Sequence, residues 1–152
     1  MMTLADVLGG CKALAHLNLS SNSIGAAGMG RLAGVLEECK ALAHLDLSCN
    51  RIGGEGVERL AGALGEREAL AHLNLSDNKI GDDCLAPNAN WFHAEGAKKL
   101  AGVLGSCQAL AHLDLSDNSI DARIWGKLVG QQGGGKTLVH VVFRRETTAW
   151  CS

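Results

Sequence analysis

Five of the six histidines, His16, His44, His72, His112 and His140, recur at separations of 28, 28, 40 and 28 residues. The first four are followed two residues later by Asn18, Asp46, Asn74 and Asp114, and two residues after that by Ser20, Ser48, Ser76 and Ser116. Imidazoles, amides, carboxylates and hydroxyls in one fixed phase allow three readings. They form a partner-binding surface, or a proton- or metal-responsive column, or they are the by-product of copying one segment. A metal ion needs three or four ligands converging on a point, whereas side chains on parallel strands project the same way, so no metal ligand is expected. Protons are chemically more plausible. Imidazoles of ordinary pKa ~6.5 stacked ~4.8 Å apart repel one another once charged, with Asp46 and Asp114 offsetting part of it. Lower stability at about pH 5 than at about pH 7.5 is therefore expected.

Other chemistry-bearing groupings are weaker. Gly130 to Thr137 fits the spacing G-x-x-x-x-G-K-T of a phosphate-binding loop. Such a loop follows a strand and opens a helix; here a helical stripe ending near Leu128 comes first and a strand pattern from Thr137 to Phe143 comes after. Only 15 residues remain beyond Thr137, too few for a second strand carboxylate to help hold magnesium. No cofactor is expected. Cys84 and His93 could pair as nucleophile and base, but no third group orients them, so no catalytic residue is assigned. The stretch that contains them, Asp82 to His93, also holds Trp91 and Phe92. Exposed aromatics of this kind anchor protein partners, while folded back they are merely part of a tolerated loop.

The elements that position these groups follow from an internal repeat. Ala13–Lys40 and Ala41–Glu68 agree at 17 of 28 positions, which sets the period. Further units run over 69–108, lengthened by the insertion 82–93, and over 109–136, with partial units at 1–12 and 137–152; together they read as one domain. Within a unit, apolar and polar residues alternate from Ala15 to Ser20, the period of a strand with one buried face. Leu17 and Leu19 point in; His16, Asn18 and Ser20 point out. After a turn at Asn22 to Gly25, Met29, Leu32, Ala33 and Leu36 form the stripe of an amphipathic helix.

One unit cannot bury both leucine sets, but stacked units pair their strands into a parallel sheet and close a continuous core beneath the helices. Helices ~10 Å wide beside strands ~4.8 Å apart force curvature, with strands on the concave side. The expected fold class is α/β, a solenoid with its parallel sheet concave and its helices convex. Asn22, Asn50, Asn78 and Asn118 then stand where a buried amide can satisfy turn backbone in its own and the next unit, a structural role. Gly25, Gly53 and Gly81 suit positive φ or close backbone approach. The fourth unit, with Asp121 and Gln132 in place of pattern residues, is expected to be the weakest.

The recurring L-x-x-L-x-L-x-x-N-x-I-G followed by L-A-x-x-L resembles the leucine-rich repeat, in its 28-residue ribonuclease-inhibitor-like form. The wording I-G-x-x-G-x-x-x-L-A-x-x-L is most similar to the repeat ends of nucleotide-binding oligomerisation-domain receptors. The resemblance implies a horseshoe that binds proteins without catalysis. Two alternatives come with it: a GTPase regulator like Ran GTPase-activating protein, or a fragment of a larger receptor-type repeat protein. The former's acidic tail has no counterpart here, and no catalytic position carries over.

Composition narrows the partner. With 14 Lys and Arg against 16 Asp and Glu there is no basic patch for nucleic acid or an anionic membrane surface, so neither is expected as partner. The 47% apolar residues include only 3% aromatics, so the core must be built from aliphatic side chains. No secretion signal is read at the start, so the six cysteines are expected as cytoplasmic thiols, with Cys11, Cys39 and Cys107 as small buried residues in one phase. Leu4, Val7 and Leu8 form a half-unit with no capping element, which leaves the N-terminal end as a possible site of association.

Overall fold

The computed structural model describes residues 12–65, 68–81, 95–104, 107–120 and 140–142. Strands and helices alternate: β1 (His16–Asn18), α1 (Gly25–Leu36), β2 (His44–Asp46), α2 (Gly53–Leu64), β3 (His72–Asn74), α3 (Glu95–Leu104), β4 (His112–Asp114) and β5 (His140–Val142). The strands form one sheet in chain order, all parallel. Each is only three residues long, shorter than the alternating pattern in the sequence, although backbone bonds between units continue beyond it, as from Leu19 N to Asp46 O and Ser21 N to Ser48 O.

The expected stripe buries as a unit: in α1 the buried residues are Met29, Leu32, Ala33 and Leu36. Leu60, Leu64, Leu100 and Leu104 from α2 and α3 join Leu45, Leu47, Leu73, Leu75, Leu113 and Leu115 from the strand segments in a single core. Each fully buried leucine contributes about 1.5–3 kcal/mol, so the repeat of small similar contacts replaces the aromatic anchors this chain lacks. Leu14, Leu17, Leu19 and Ile24 of the first unit are only partly buried against that core, since no described unit covers their outer side.

Between units, the turns are stitched by the asparagines. Asn78 Nδ2 donates to the carbonyls of Leu47, Leu75 and Ser76 at 2.8, 3.0 and 3.1 Å. Its Oδ1 accepts from Asn50 N at 3.0 Å and Ile52 N at 3.3 Å. Asn50 and Asn118 repeat the pattern on Leu19 and Leu75. The residues on either side of each asparagine, Ser21 and Ser23, Cys49 and Arg51, Asp77 and Lys79, Asp117 and Ser119, all adopt positive φ, between 49° and 58°. Left-handed backbone is unfavourable for side chains of this kind, and the amide bonds in the middle of each turn hold it there.

Asn22 departs from the sequence expectation. It is exposed rather than buried, and its side chain donates only to Leu19 and Ser20 of its own turn, because no described unit lies beyond it; its backbone N–H goes to Asn50 Oδ1. Gly25 and Gly53 have positive φ, of 63° and 68°. Gly81 instead meets the other expectation, close approach: a Cβ there would run into the Ser119 carbonyl.

The helices pack through small residues and exposed ion pairs. A Cβ on Gly96 of α3 would collide with the Gly54 backbone of α2. Arg59 Nη1 donates to the Ala26 carbonyl of α1 at 2.9 Å and pairs with Glu55, while Lys99 of α3 pairs with Glu58 of α2. These exposed pairs orient the helices more than they stabilise them, each being worth under about 1 kcal/mol. Among the described residues no helix is long and apolar enough to cross a membrane.

The cysteine expectation is corrected in one place. Cys39 and Cys107 are buried thiols as their phase implies, but Cys49 is disulfide-bonded. It sits half-buried in the turn after β2, a position outside the buried phase, where a sulfur is accessible to pairing. Cys11, Cys84, the insertion 82–93 with Trp91, Phe92 and His93, the half-unit with Leu4, Val7 and Leu8, Asp121, Gln132 and the glycine-rich 130–137 lie outside the described residues.

Candidate functional site

The parallel register places His16 opposite His44, His44 opposite His72, His72 opposite His112 and His112 opposite His140. The histidines therefore form one column because strand pairing is in phase with the repeat. The described rings stack. Centroids of His16 and His44 are 4.2 Å apart and those of His44 and His72 4.3 Å, with planes 12° from parallel in both pairs. His72 and His112 are 5.6 Å apart and tilted by 32°. This looser step joins the lengthened third unit to the fourth, yet the backbone register is unbroken.

Face-to-face rings present their nitrogens side by side rather than toward a common centre. Among the described residues no group of three or more His, Cys, Asp or Glu is arranged to hold a metal ion. His44 is held below the ordinary imidazole pKa of 6.5, first by desolvation and then by repulsion from His16 and His72. A lowered value means the unfolded chain binds protons that folded His44 refuses. Its contribution to stability is present above about pH 6.5 and is lost as the pH falls toward and through its folded value. The melting temperature is expected to drop between about pH 7.5 and about pH 5, and to drop less in His44→Gln; a scan by circular dichroism at both values checks it.

Beside the histidines run Asn18, Asp46, Asn74 and Asp114. Their Oδ1 atoms each accept two bonds from the serine two residues on, from its backbone N at 2.9–3.0 Å and its hydroxyl at 2.7–2.8 Å. Ser20, Ser48, Ser76 and Ser116 are thus tied into the turn, and Ser116 is itself buried. The bond to the preceding Asn or Asp makes an Asx-type turn, and Ser20, Ser48 and Ser76 stay half-buried. The histidines and the Asn and Asp column remain on the open side. The four described histidines with Asn18, Asp46 and Asn74 line a shallow concavity of about 440 Å³ floored by Leu17, Leu45 and Leu73.

A curved parallel ladder with helices behind it and one asparagine-stitched turn per unit defines a leucine-rich-repeat architecture. The leucine-rich-repeat pattern matches residues 10–33, 38–61 and 70–85, and the chain carries these repeats in an α/β solenoid fold. Two solved structures share it. The tropomodulin C-terminal domain of Caenorhabditis elegans superposes with a TM-score of 0.73 at 12% identity, over 94% of this chain and 84% of that one. Leiomodin-1 actin-binding site 2 superposes with a TM-score of 0.70 at 12% identity, over 96% of this chain and 82% of that one. At such identity the likeness is one of fold. No curated protein sequence matches the chain.

Proposed function

We propose that this chain is a non-enzymatic protein-interaction module of the ribonuclease-inhibitor-like type, working through its concave strand face and extended by the segment that holds Trp91 and Phe92. The observation that carries the reading is the continuous open row of stacked imidazoles with its parallel row of amides and carboxylates. Such a surface is shallow and repetitive, suited to a macromolecule lying across several strands rather than to a small substrate enclosed in a pocket. A similar fold serves leiomodin-1 as an actin-binding site, which supports protein contact as the task without naming the partner.

Affinity capture from native lysate tests it. The intact chain is compared with His44→Ala/His72→Ala and with a chain lacking 82–93, each checked for folding by circular dichroism. A captured protein is expected to weaken by roughly tenfold or more when the central histidines are removed, as for residues at the middle of an interface. Capture indifferent to both changes overturns the assignment to this face. Acceleration of GTP hydrolysis by a Ran-type GTPase would overturn its non-enzymatic part.

A further inference from the structure

The chemistry of the partner is written in two features of the concave face. Asp46 and Asp114 are half-buried carboxylates, and neither forms an ion pair among the described residues; the pairs that do form, Arg59 with Glu55 and Lys99 with Glu58, lie on the helices. Each spends one oxygen on its serine, and the second oxygen accepts nothing from the described residues. They stand on β2 and β4 with β3 between, about 9.6 Å apart at two strand spacings. The second feature is the row of rings beside them, flat surfaces 4.2–5.6 Å apart.

We propose that this face docks a protein segment rich in arginine and lysine, holding two of its cations on Asp46 and Asp114 near neutral pH and releasing it when the histidine column takes up protons. This rests on the concave face being the contact surface. With the imidazoles neutral, the two carboxylates leave the face at a net −2; four imidazolium groups would carry it to +2. Guanidinium suits both features, since its N–H groups donate to the uncommitted carboxylate oxygen while its plane lies against an imidazole. A segment extended across the strands, at ~3.3 Å per residue, meets Asp46 and Asp114 with cations about three residues apart.

The surroundings do not cancel this charge. The helices lie behind Leu45, Leu73 and Leu113, on the other side of the sheet. Before the strands come Lys12, Lys40 and Glu68; after them come Asp77 and Asp117, with the exposed Arg51 and Lys79 beyond. These stand at the two rims, so they modulate the field, while the histidines alone change charge between neutral and mildly acidic pH. His44 is held below the ordinary imidazole value by desolvation and by His16 and His72, so it takes up its proton only on further acidification.

The test uses fluorescence anisotropy with two labelled probes, a peptide of three Arg-Gly-Gly repeats and its Glu-Gly-Gly counterpart. Each is titrated with the full chain at low salt, at about pH 7.5 and about pH 5.5, on either side of the ordinary imidazole value. The arginine peptide is expected to bind at least about tenfold more tightly than the glutamate peptide near neutrality, and to weaken by about tenfold on acidification. The double variant Asp46→Asn/Asp114→Asn abolishes the preference. It should fold, because Asn18 and Asn74 already make the same serine bonds in the same column. His44→Asn/His72→Asn, which removes two of the stacking rings, weakens binding near neutrality and shrinks the difference between the two pH values. Preference for the glutamate peptide, or arginine binding untouched by the double Asp variant, overturns the proposal. Failure of both peptides to bind also overturns it, while lysate capture that still depends on His44 and His72 would leave the broader reading standing.

Discussion

Asn78→Ala is expected to lower stability by about 3 kcal/mol, a fall of roughly 10 °C in melting temperature, read by thermal circular dichroism or urea titration. The side chain is fully buried and serves five backbone groups in two turns. Alanine leaves the N–H groups of Asn50 and Ile52 without their acceptor in a cavity from which water is excluded, takes one of two donors from the Leu47, Leu75 and Ser76 carbonyls, and releases Asp77 and Lys79 from the left-handed backbone that the amide holds in place. Asn22→Ala is the internal control. That residue has the same local sequence context but is exposed, so its carbonyls turn to water and the loss stays under about 1 kcal/mol. Equal losses at the two sites would refute the claim that the asparagines act between units.

The second large effect separates two helix glycines that stand at different phases of the repeat. Gly96→Ala is expected to destabilise by about 1–3 kcal/mol, because the new Cβ meets the Gly54 backbone, which cannot rotate out of the way. Gly62→Ala, in the last turn of α2, meets nothing within 4 Å and is exposed. There alanine is expected to stabilise by about 0.5–1 kcal/mol through the lower backbone entropy of the unfolded chain and better helix propensity. Urea denaturation of both single variants checks the opposite signs. A stable Gly96→Ala would mean that α2 and α3 do not approach as closely as drawn.

These contrasts mark what was legible beforehand. The alternation around Leu17 and Leu19 and the stripe Met29, Leu32, Ala33, Leu36 identified strand, helix and buried face, since each is a property of a few consecutive residues. A fixed period then implied the sheet order and the histidine column, because units of equal design stack in register; His16, His44, His72 and His112 line up as the spacing requires. The leucine-rich-repeat resemblance came from the wording of the motif, L-x-x-L-x-L-x-x-N-x-I-G followed by L-A-x-x-L.

The sequence by itself therefore determined the repeating element, its inward and outward faces, and which side chains share a row. Tertiary structure decided what each copy became: Asn22 open and Asn78 sealed, Gly81 pressed against the Ser119 carbonyl while Gly25 and Gly53 at the same phase are open, and Asp46 and Asp114 left without a cation among the described residues. Periodicity is local and repeats with the residues that encode it. Burial, close approach and charge compensation depend on which neighbour lies against a residue, and that differs between copies whose local sequences are almost the same.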